Sequence, residues 1–299
     1  MSEAPLVSAI VPTLNGAGTL PPLLAALQRA SRRYPLEVVA IDSGSRDETT
    51  TLLRSAGAVV LDLEGALFTH AVARNRAAGR SRGEVLLFLS QDVEPVGDSW
   101  LEPLLAALRE DGVAGAFGRQ VPRGASPEEA FLVGANYPAR SRTITAAALS
   151  APFGPGATYF SNAFGAMRRA TWERSPFPDI VMSEDQAWAR NVLRSGLAIR
   201  YVSEEAAYHG HELSLTRAFR RNFDSGSSLQ SLGVAGASWG SGLRHLVAEL
   251  RWIAARHGAL AAARAVVYEG VRMAGFQCGR LERVMPRPLA RACGEAPRP

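Results

Sequence analysis

Two short apolar runs in this sequence each lead into an acidic residue. Residues 38–41 (Val-Val-Ala-Ile) precede Asp42, and residues 85–89 (Val-Leu-Leu-Phe-Leu) precede Ser90-Gln91-Asp92. Such runs are typical of strands that are buried on both faces of a parallel sheet. Because these strands carry their C-terminal ends to the ligand crevice, we expect both carboxylates at one rim. The alternative for each carboxylate alone is a turn or helix-cap residue.

Different chemistry is expected at the two strand ends. Asp92 could bind a hard divalent cation through oxygen, with phosphates and water as the remaining ligands. A nucleotide base and ribose could dock beyond the first two strands, where the polar residues are Thr13, Asn15, Asp42 and Ser43. No G-x-G-x-x-G follows the first strand, so the dinucleotide-binding fingerprint is missing.

Adjacent carboxylates begin a predicted helix at Ser183-Glu184-Asp185. Acidic side chains at a helix N-terminus are ordinarily stabilised in their charged form, which is a purely structural role. In a site that excludes water, one of them can instead act as a general base toward a hydroxyl. Both interpretations remain open at this point.

Imidazole and guanidinium groups follow in a short segment. His209 and His211 are two positions apart on an extended stretch, so their side chains point to the same face. Either could complete a metal shell or bind a phosphate, although a structural role is the alternative. Arg220 and Arg221 lie some ten residues further on and favour an anionic ligand.

Elements that could position these residues alternate along the first third of the chain. Strands are predicted at 6–13, 38–41, 58–63 and 85–89. Helices are predicted at 23–32, 69–80 and 98–109, and a further helix begins with residues 45–48; Thr19 and Asp98 are the predicted helix caps. This alternation predicts an α/β fold with a parallel, doubly wound sheet. Beyond it we expect a mobile loop within 124–156, a helix at 183–193 and a strand at 198–202.

Two amphipathic helices are predicted after residues 238–242, with apolar faces that pack on the main domain. Their apolar residues are Leu243, Leu246, Val247, Leu250 and Ile253 in the first, and Leu260, Ala263, Val266 and Val267 in the second. From residue 241 onward the sequence contains ten arginines and only four acidic residues. Their basic face could be solvated or could contact an anionic membrane surface.

Composition sets further limits on function and compartment. The chain has 299 residues, a net charge of +5 and 33 basic residues, all of them arginine, so lysine Schiff-base chemistry is excluded and phosphate binding must use guanidinium groups. Cys278 and Cys293 form neither a disulfide framework nor a metal motif, which fits a reduced, cytosolic compartment. The N-terminus lacks the features of a signal peptide, and no membrane-spanning run is expected.

The order of six motifs carries a resemblance to a known family. They are Val-Pro-Thr-Leu-Asn (11–15), Ile-Asp-Ser-Gly-Ser-Arg-Asp (41–47), Phe-Thr-His (68–70), Ala-Arg-Asn (73–75), Phe-Leu-Ser-Gln-Asp-Val-Glu-Pro (88–95) and Ser-Glu-Asp-Gln (183–186). Over residues 6–226 the chain resembles family 2 glycosyltransferases with the GT-A fold, in particular a rhamnosyltransferase-like branch.

The resemblance implies a role for each motif. Asp92 would bind Mg²⁺ or Mn²⁺ as the final acid of an Asp-x-Asp motif, whose first acid is missing because the sequence reads Ser90-Gln91-Asp92. Asp185 would be the general base, with Glu184 as the second choice, and His211 or His209 would assist the metal or diphosphate. The residues implied to bind the nucleotide sugar and its leaving diphosphate are Pro12, Thr13, Asn15, Asp42, Ser43, Arg74, Gln91, Arg220 and Arg221.

The implied activity is inverting transfer of a sugar from a nucleotide-diphosphate donor, best matched by dTDP-L-rhamnose, to a saccharide or lipid-linked acceptor in cell-surface polysaccharide synthesis. We expect a catalytic domain over 1–226, with a nucleotide-sugar half (1–115) and an acceptor half (116–226), and a helical extension over 227–299. We expect peripheral contact with the cytoplasmic face of the inner membrane. We expect no nucleic acid partner. The alternatives are a catalytically silent nucleotide-sugar-binding or scaffold protein and a nucleotidyltransferase.

Overall fold

A computed structural model describes residues 6–63, 68–150, 158–210, 214–233 and 239–295, without the side chains of residues 239–241. Within these ranges a mixed nine-stranded sheet has the order β3-β2-β1-β4-β8-β6-β9-β5, and β7 also pairs with β9. The strands are β1 (Val7–Thr13), β2 (Leu36–Asp42), β3 (Val59–Asp62), β4 (Val85–Leu89), β5 (Glu94–Pro95), β6 (Val113–Val121), β7 (Arg142–Ile144), β8 (Phe164–Arg168) and β9 (Ala198–Tyr208).

Helices cover the sheet and continue beyond it. They are α1 (Leu20–Ser31), α2 (Thr49–Ser55), α3 (His70–Arg80), α4 (Glu102–Arg109), α5 (Pro127–Asn136), α6 (Arg169–Arg174), α7 (Glu184–Arg194), α8 (Leu215–Ser231), α9 (Trp239–His257), α10 (Ala259–Arg280) and α11 (Arg287–Cys293). Two separate clusters of buried apolar side chains pack in the core, as expected for a sheet covered on both faces. The α/β fold class is confirmed.

The first four strands form the parallel half that the sequence predicts. β1 lies between β2 and β4 and pairs with both in parallel. Thr13 is the register partner of Asp42, so the C-terminal ends of β1 and β2 lie side by side. This places the polar residues that follow both strands at one rim, because parallel strands end at the same edge.

The other half of the sheet is mixed. β8 runs antiparallel to both β4 and β6, whereas β6 and β9 are parallel with irregular register. The strand predicted at 198–202 continues to Tyr208, where it pairs with β5. Through these pairings β9 brings its end close to the residues that follow β4.

Two predicted helix caps make no capping hydrogen bond. Asp98 does not cap α4; it forms an ion pair with Arg29 at 3.2 Å, and the helix begins later. The range 124–156, within which a mobile loop is predicted, also contains α5 and β7; residues 151–157 lie outside the described residues, and the loop stays a prediction. α5 forms because Pro127 suits a first helical turn and the Ser126 hydroxyl accepts a hydrogen bond from the Glu129 amide. The side chain of Thr19 likewise makes no cap hydrogen bond at the start of α1.

The two C-terminal helices exist as predicted, but Leu243 and Val247 of the first are exposed, and the second does not bury its predicted apolar face. α10 packs closely on α8 at two of its glycines. A Cβ at Gly279 would clash with the backbone carbonyl of Phe223, and a Cβ at Gly275 would clash with the backbone carbonyl of Phe219. Leu260, Ala263, Val266 and Val267 are all exposed instead. The close approach of the two backbones selects small residues for the inner face, which turns the larger apolar side chains outward. The predicted domain boundary at 226/227 lies within α8.

Candidate active site

Asp42 organises the turn after β2. Its carboxylate accepts hydrogen bonds from the Thr13 and Ser45 hydroxyls, at 3.0 and 2.6 Å, and from the backbone amides of Gly44 and Ser45, at 3.0 and 2.7 Å. The side chain is almost entirely buried. The structure therefore shows the turn-forming role that was the alternative at this position, with both carboxylate oxygens in use.

The loop after β1 is fastened to this turn. Asn15 has a positive φ of 46°, its backbone amide donates to the Ser45 hydroxyl at 2.8 Å, and its Oδ1 accepts from the Arg46 amide at 2.9 Å. Pro12 is half-buried, and the hydroxyl of Ser43 is buried without a hydrogen-bond partner in the described residues. An orphaned buried hydroxyl next to a polar rim is a candidate ligand contact, because such groups are usually satisfied.

Gln91 occupies the middle position of the predicted metal motif, Ser90-Gln91-Asp92, and holds the same loop. Its Oε1 accepts from the Leu14 amide at 2.9 Å, and its Nε2 donates to the Leu14 carbonyl at 3.1 Å. Gly16 lies directly against it, since a Cβ there would approach Oε1 to 2.5 Å. The amide side chain thus links the end of β4 to the end of β1.

Asp92 and His209 come together from opposite sides of the rim. His209 Nε2 lies 3.6 Å from Asp92 Oδ1, and its Nδ1 lies 2.8 Å from Gln120 Oε1. One carboxylate and one imidazole whose orientation is fixed by a second group form a donor pair that fits a divalent metal. Within the described residues no cluster of three or more His, Cys, Asp and Glu side chains could hold a metal. His211, the other predicted candidate, lies outside the described residues.

Glu184 and Asp185 begin α7 and have different surroundings. Ser183 precedes them in the left-handed conformation, with φ 65°, a strained state for a residue with a side chain. Glu184 is buried and accepts from Arg74 Nη1 at 2.9 Å and from Asn162 Nδ2 at 3.1 Å. Asp185 stays partly exposed, and its Oδ1 accepts from the Gln186 amide at 2.8 Å.

These surroundings move the pKa values of the two carboxyls in opposite directions. Burial is the largest influence on Glu184 and works against its ionisation, but Arg74, His70 and hydrogen bonds from its own backbone amide and from Asn162 together outweigh burial, so the pKa of Glu184 is lowered. Burial raises the pKa of Asp185 to about 7, and the negative charge of Glu184 adds to the increase. A carboxyl that titrates near neutral pH is suited to accept a proton, which favours Asp185 over Glu184 as the base.

Several polar residues of this site were not singled out from the sequence. Gln120 Nε2 donates to the Ser161 hydroxyl at 2.8 Å, and the Tyr137 hydroxyl contacts both side chains. Burial raises the pKa of Tyr137 to about 12, so it stays protonated, and Asp185 is within its electrostatic reach. Asn162 completes this set. The short polar pair Ser161-Asn162 between aromatic residues was the available signal, but nothing in it indicated the partners.

The structure separates the two predicted arginines of α8. Arg221 lies within electrostatic reach of Tyr137 and of the half-buried His70, on the side of the site. Arg220 instead lines a groove of about 400 Å³ between α8, α10 and α11, together with Phe219 and Val271. Arg74, expected on the nucleotide-sugar side, is committed to Glu184.

Comparison with known proteins is decisive at this point, because residues 8–173 match the sequence profile of glycosyl transferase family 2. The chain belongs to this family. It is also 26% identical over 289 residues to the O-antigen chain rhamnosyltransferase RfbN of Salmonella typhimurium (strain LT2), covering 94% of this chain and 91% of the relative. The O-antigen chain rhamnosyltransferase WbaN of Salmonella anatum is 26% identical over 294 residues, with the same coverage. This family 2 protein is therefore a glycosyltransferase of the rhamnosyltransferase-like kind, which sets aside the silent-protein and nucleotidyltransferase alternatives.

Solved structures confirm the GT-A fold of this family 2 glycosyltransferase. The mannosyltransferase PcManGT from Pyrobaculum calidifontis, in complex with GDP-Man and Mn²⁺, superposes with a TM-score of 0.61 at 18% identity, covering 96% of this chain and 89% of that one. S. aureus TarS 1–349 in complex with UDP gives a TM-score of 0.53 at 18% identity, covering 92% and 89%. No helix in the described ranges is both long and apolar enough to cross a membrane.

Proposed function

We propose that this family 2 glycosyltransferase transfers L-rhamnose from dTDP-L-rhamnose to a hydroxyl group, with inversion at the anomeric carbon. The observation that carries the mechanism is the divided pair at the start of α7. Glu184 is held in its charged form by Arg74, and Asp185 remains accessible with a pKa near 7. The choice of rhamnose is supported by the names of the two Salmonella relatives.

The reaction follows from one base and one displacement. Asp185 accepts the proton of the acceptor hydroxyl while that oxygen forms a bond to the anomeric carbon. The bond from the anomeric carbon to the diphosphate oxygen breaks, and its electron pair leaves with the nucleotide diphosphate. A single displacement without a covalent sugar–enzyme intermediate inverts the anomeric configuration.

Negative charge grows on the departing diphosphate, and the site offers cations for it. Asp92 and His209 would hold a divalent ion, Mg²⁺ or Mn²⁺, which supplies Lewis-acid stabilisation of the phosphate oxygens when bound. Arg221 lies on the same side and is assigned to the diphosphate, in preference to Arg220. The nucleoside would occupy the rim formed by Pro12, Thr13, Asn15 and Ser43, where Asp42 and Gln91 hold the loops.

The acceptor is assigned to a saccharide or lipid-linked saccharide at the cytoplasmic face of the inner membrane. The O-antigen relatives support the saccharide class, and the excess of arginine after residue 241 supports contact with an anionic membrane. We propose no nucleic acid partner. We also retain the division into a catalytic domain over 1–226, with halves 1–115 and 116–226, and a helical extension over 227–299.

A hydrolysis assay tests the mechanism without knowledge of the acceptor. Purified protein with dTDP-L-rhamnose and Mn²⁺ is expected to release dTDP slowly, with water in place of the acceptor. Asp185→Asn should reduce release by about 10²- to 10⁴-fold, the usual contribution of a general base. Asp98→Asn, at an exposed ion pair away from the site, is the matched control and should leave the rate unchanged.

Two outcomes would contradict different parts of this proposal. Full activity of Asp185→Asn would show that Asp185 is not the general base. Thermal stabilisation by UDP- or GDP-sugars but not by dTDP-L-rhamnose would overturn the donor and leave the transferase assignment intact, since a ligand stabilises the folded state it binds.

A further inference from the structure

A mostly apolar face of α10 is turned toward solvent. Its exposed positions lie on one side of the helix, and Arg264 is the only charged residue among them: Ala259, Leu260, Ala263, Arg264, Val266, Val267, Gly270, Met273, Ala274 and Gln277. Leu260 is 76% exposed and Val267 58%. From Leu260 to Gln277 this apolar face extends for about 25 Å at 1.5 Å per residue.

The other charged side chains of the same helix are turned inward. Glu269 and Arg272 form an ion pair at 2.5 Å and are half-buried, and Arg280 donates to Gln230 of α8 at 3.1 Å. A surface helix ordinarily buries its apolar side and exposes its charges. The reversed arrangement of α10 favours an interaction surface, because exposed apolar patches rimmed by polar residues mark interaction sites on soluble proteins.

Most of the exposed charged residues in 239–295 are positive. Of the acidic residues in 239–295, Glu249 is buried, Glu269 is paired as above, Glu282 accepts from the Ser227 hydroxyl, and Glu295 is paired with Arg217 at 2.9 Å. The exposed basic residues in the same range are Arg244, Arg251, Arg256, Arg264, Arg283, Arg287 and Arg291. The α9–α10 hairpin and the residues that follow it therefore combine an exposed apolar strip on α10 with seven exposed arginines, while the four acidic residues of 239–295 are buried or paired.

We propose that the outer surface of the α9–α10 hairpin docks on an anionic lipid bilayer. The apolar side chains of α10 enter the boundary between headgroups and acyl chains, and the exposed arginines bind lipid phosphates. The inference deepens the membrane contact of the proposed function by naming the surface that makes it. A second copy of the chain is the less suitable occupant, because two arginine-rich surfaces would repel each other.

The arginine–phosphate contacts and the apolar contacts predict different responses of membrane binding to salt and to substitution. Each arginine near an anionic surface contributes about 1 kcal/mol, so removing one weakens binding about fivefold. This part falls with ionic strength, because salt screens exposed charges. The apolar part depends on burial of side chains such as Val266 and Val267, and two glutamates in their place should weaken binding at least about tenfold.

Vesicle flotation with the full chain tests the proposal. The protein is expected to float with vesicles of phosphatidylglycerol and phosphatidylethanolamine in equal parts, and not with vesicles of phosphatidylcholine alone. The double variant Val266→Glu, Val267→Glu should lose flotation, whereas Val59→Glu, at a half-exposed valine of β3, should retain it. Arg244→Glu with Arg251→Glu should weaken flotation at least about 25-fold, and Arg109→Glu on α4 should not.

Three results would overturn the proposal. The first is equal flotation with neutral and anionic vesicles, and the second is wild-type flotation of the valine double variant. The third is a dimer in solution that this variant converts to a monomer, which would make the surface a self-interface. Donor hydrolysis measured without vesicles separates this proposal from the proposed function. If the wild-type protein does not hydrolyse dTDP-L-rhamnose, the donor assignment is wrong, and the flotation result still tests the docking surface.

Discussion

Arg74 Nη1 lies 2.9 Å from Glu184 Oε1, and both side chains are almost entirely buried. This pair divides the roles of two adjacent carboxylates. Glu184 is bound by Arg74 and by Asn162, so it is not available to an acceptor hydroxyl. Its negative charge remains next to Asp185 and, together with burial, raises the pKa of Asp185 to about 7. We therefore assign Glu184 as a positioning residue.

Replacing Glu184 should move the pH dependence of the reaction. A base is active when deprotonated, so the rate falls as pH drops through the pKa of Asp185. Glu184→Gln removes a neighbouring negative charge, so the acid limb of the pH–rate profile should move to lower pH. The profile of donor hydrolysis measures this shift.

A second variant distinguishes the effect of the Glu184 charge from the effect of a structural change at this position. Glu184→Asp keeps the negative charge and should keep the acid limb near pH 7. Glu184→Gln also leaves Arg74 without its buried partner, which costs about 3–5 kcal/mol of folding free energy, so thermal unfolding must confirm that both variants are folded. An unchanged acid limb in folded Glu184→Gln would exclude the assigned role.

Metal dependence should report on the pair formed by Asp92 and His209. Asp92→Asn should raise the concentration of both Mg²⁺ and Mn²⁺ needed for half-maximal hydrolysis. Gln120→Ala removes the group that orients His209 and should raise the Mn²⁺ requirement about 10- to 100-fold, as for other residues that orient metal ligands. Because Mg²⁺ prefers oxygen ligands, His209→Ala should affect Mn²⁺ activation more than Mg²⁺ activation. Identical metal titrations of His209→Ala and the wild type would contradict the site.

Gly16 allows Gln91 to hold the loop after β1. An added methyl group at Gly16 would lie 2.5 Å from Gln91 Oε1, whereas one at Gly18 meets nothing within 4 Å. Gly16→Ala should therefore displace Gln91 and raise KM for the donor several-fold, with a smaller effect on kcat. Gly18→Ala is the matched control and should leave both constants unchanged. Equal behaviour of the two variants would show that the loop does not depend on this contact.

Glu249 should make the stability of the protein depend on pH. It is buried, neither carboxylate oxygen has a hydrogen-bond partner among the described residues, and burial raises its pKa to about 8, with a further contribution from Glu269. The neighbouring charged groups are Glu128 on α5 and Glu269 and Arg272 on α10. Because the folded state holds this proton more tightly than the unfolded state, the free energy of unfolding should fall as pH rises from about 4.5 to about 8, by up to about 1.4 kcal/mol per pH unit.

Denaturant unfolding across this range measures the effect. Glu249→Gln stays neutral and should reduce the fall, whereas Glu173→Gln, at an exposed position of α6, should behave as the wild type does. The same slope in Glu249→Gln and the wild type would assign the pH dependence to other groups.

Local sequence determined much of this protein. The runs before Asp42 and Asp92 predicted buried strands correctly, because hydrophobic pattern and turn residues act over a few positions. The order of the motifs indicated the family, which the profile match over residues 8–173 confirmed. The helix that begins at Glu184 was also predicted from its neighbours.

Tertiary structure decided which groups those residues meet. Glu184 is paired with a residue 110 positions away, and His209 meets Asp92 because β9 extends to Tyr208 and pairs there with β5. No local pattern specifies such partners, since they depend on how distant segments pack. The outward apolar face of α10 has the same origin. The glycines that fit against α8 fixed the orientation of the helix, and the hydrophobic pattern by itself predicted the wrong buried side.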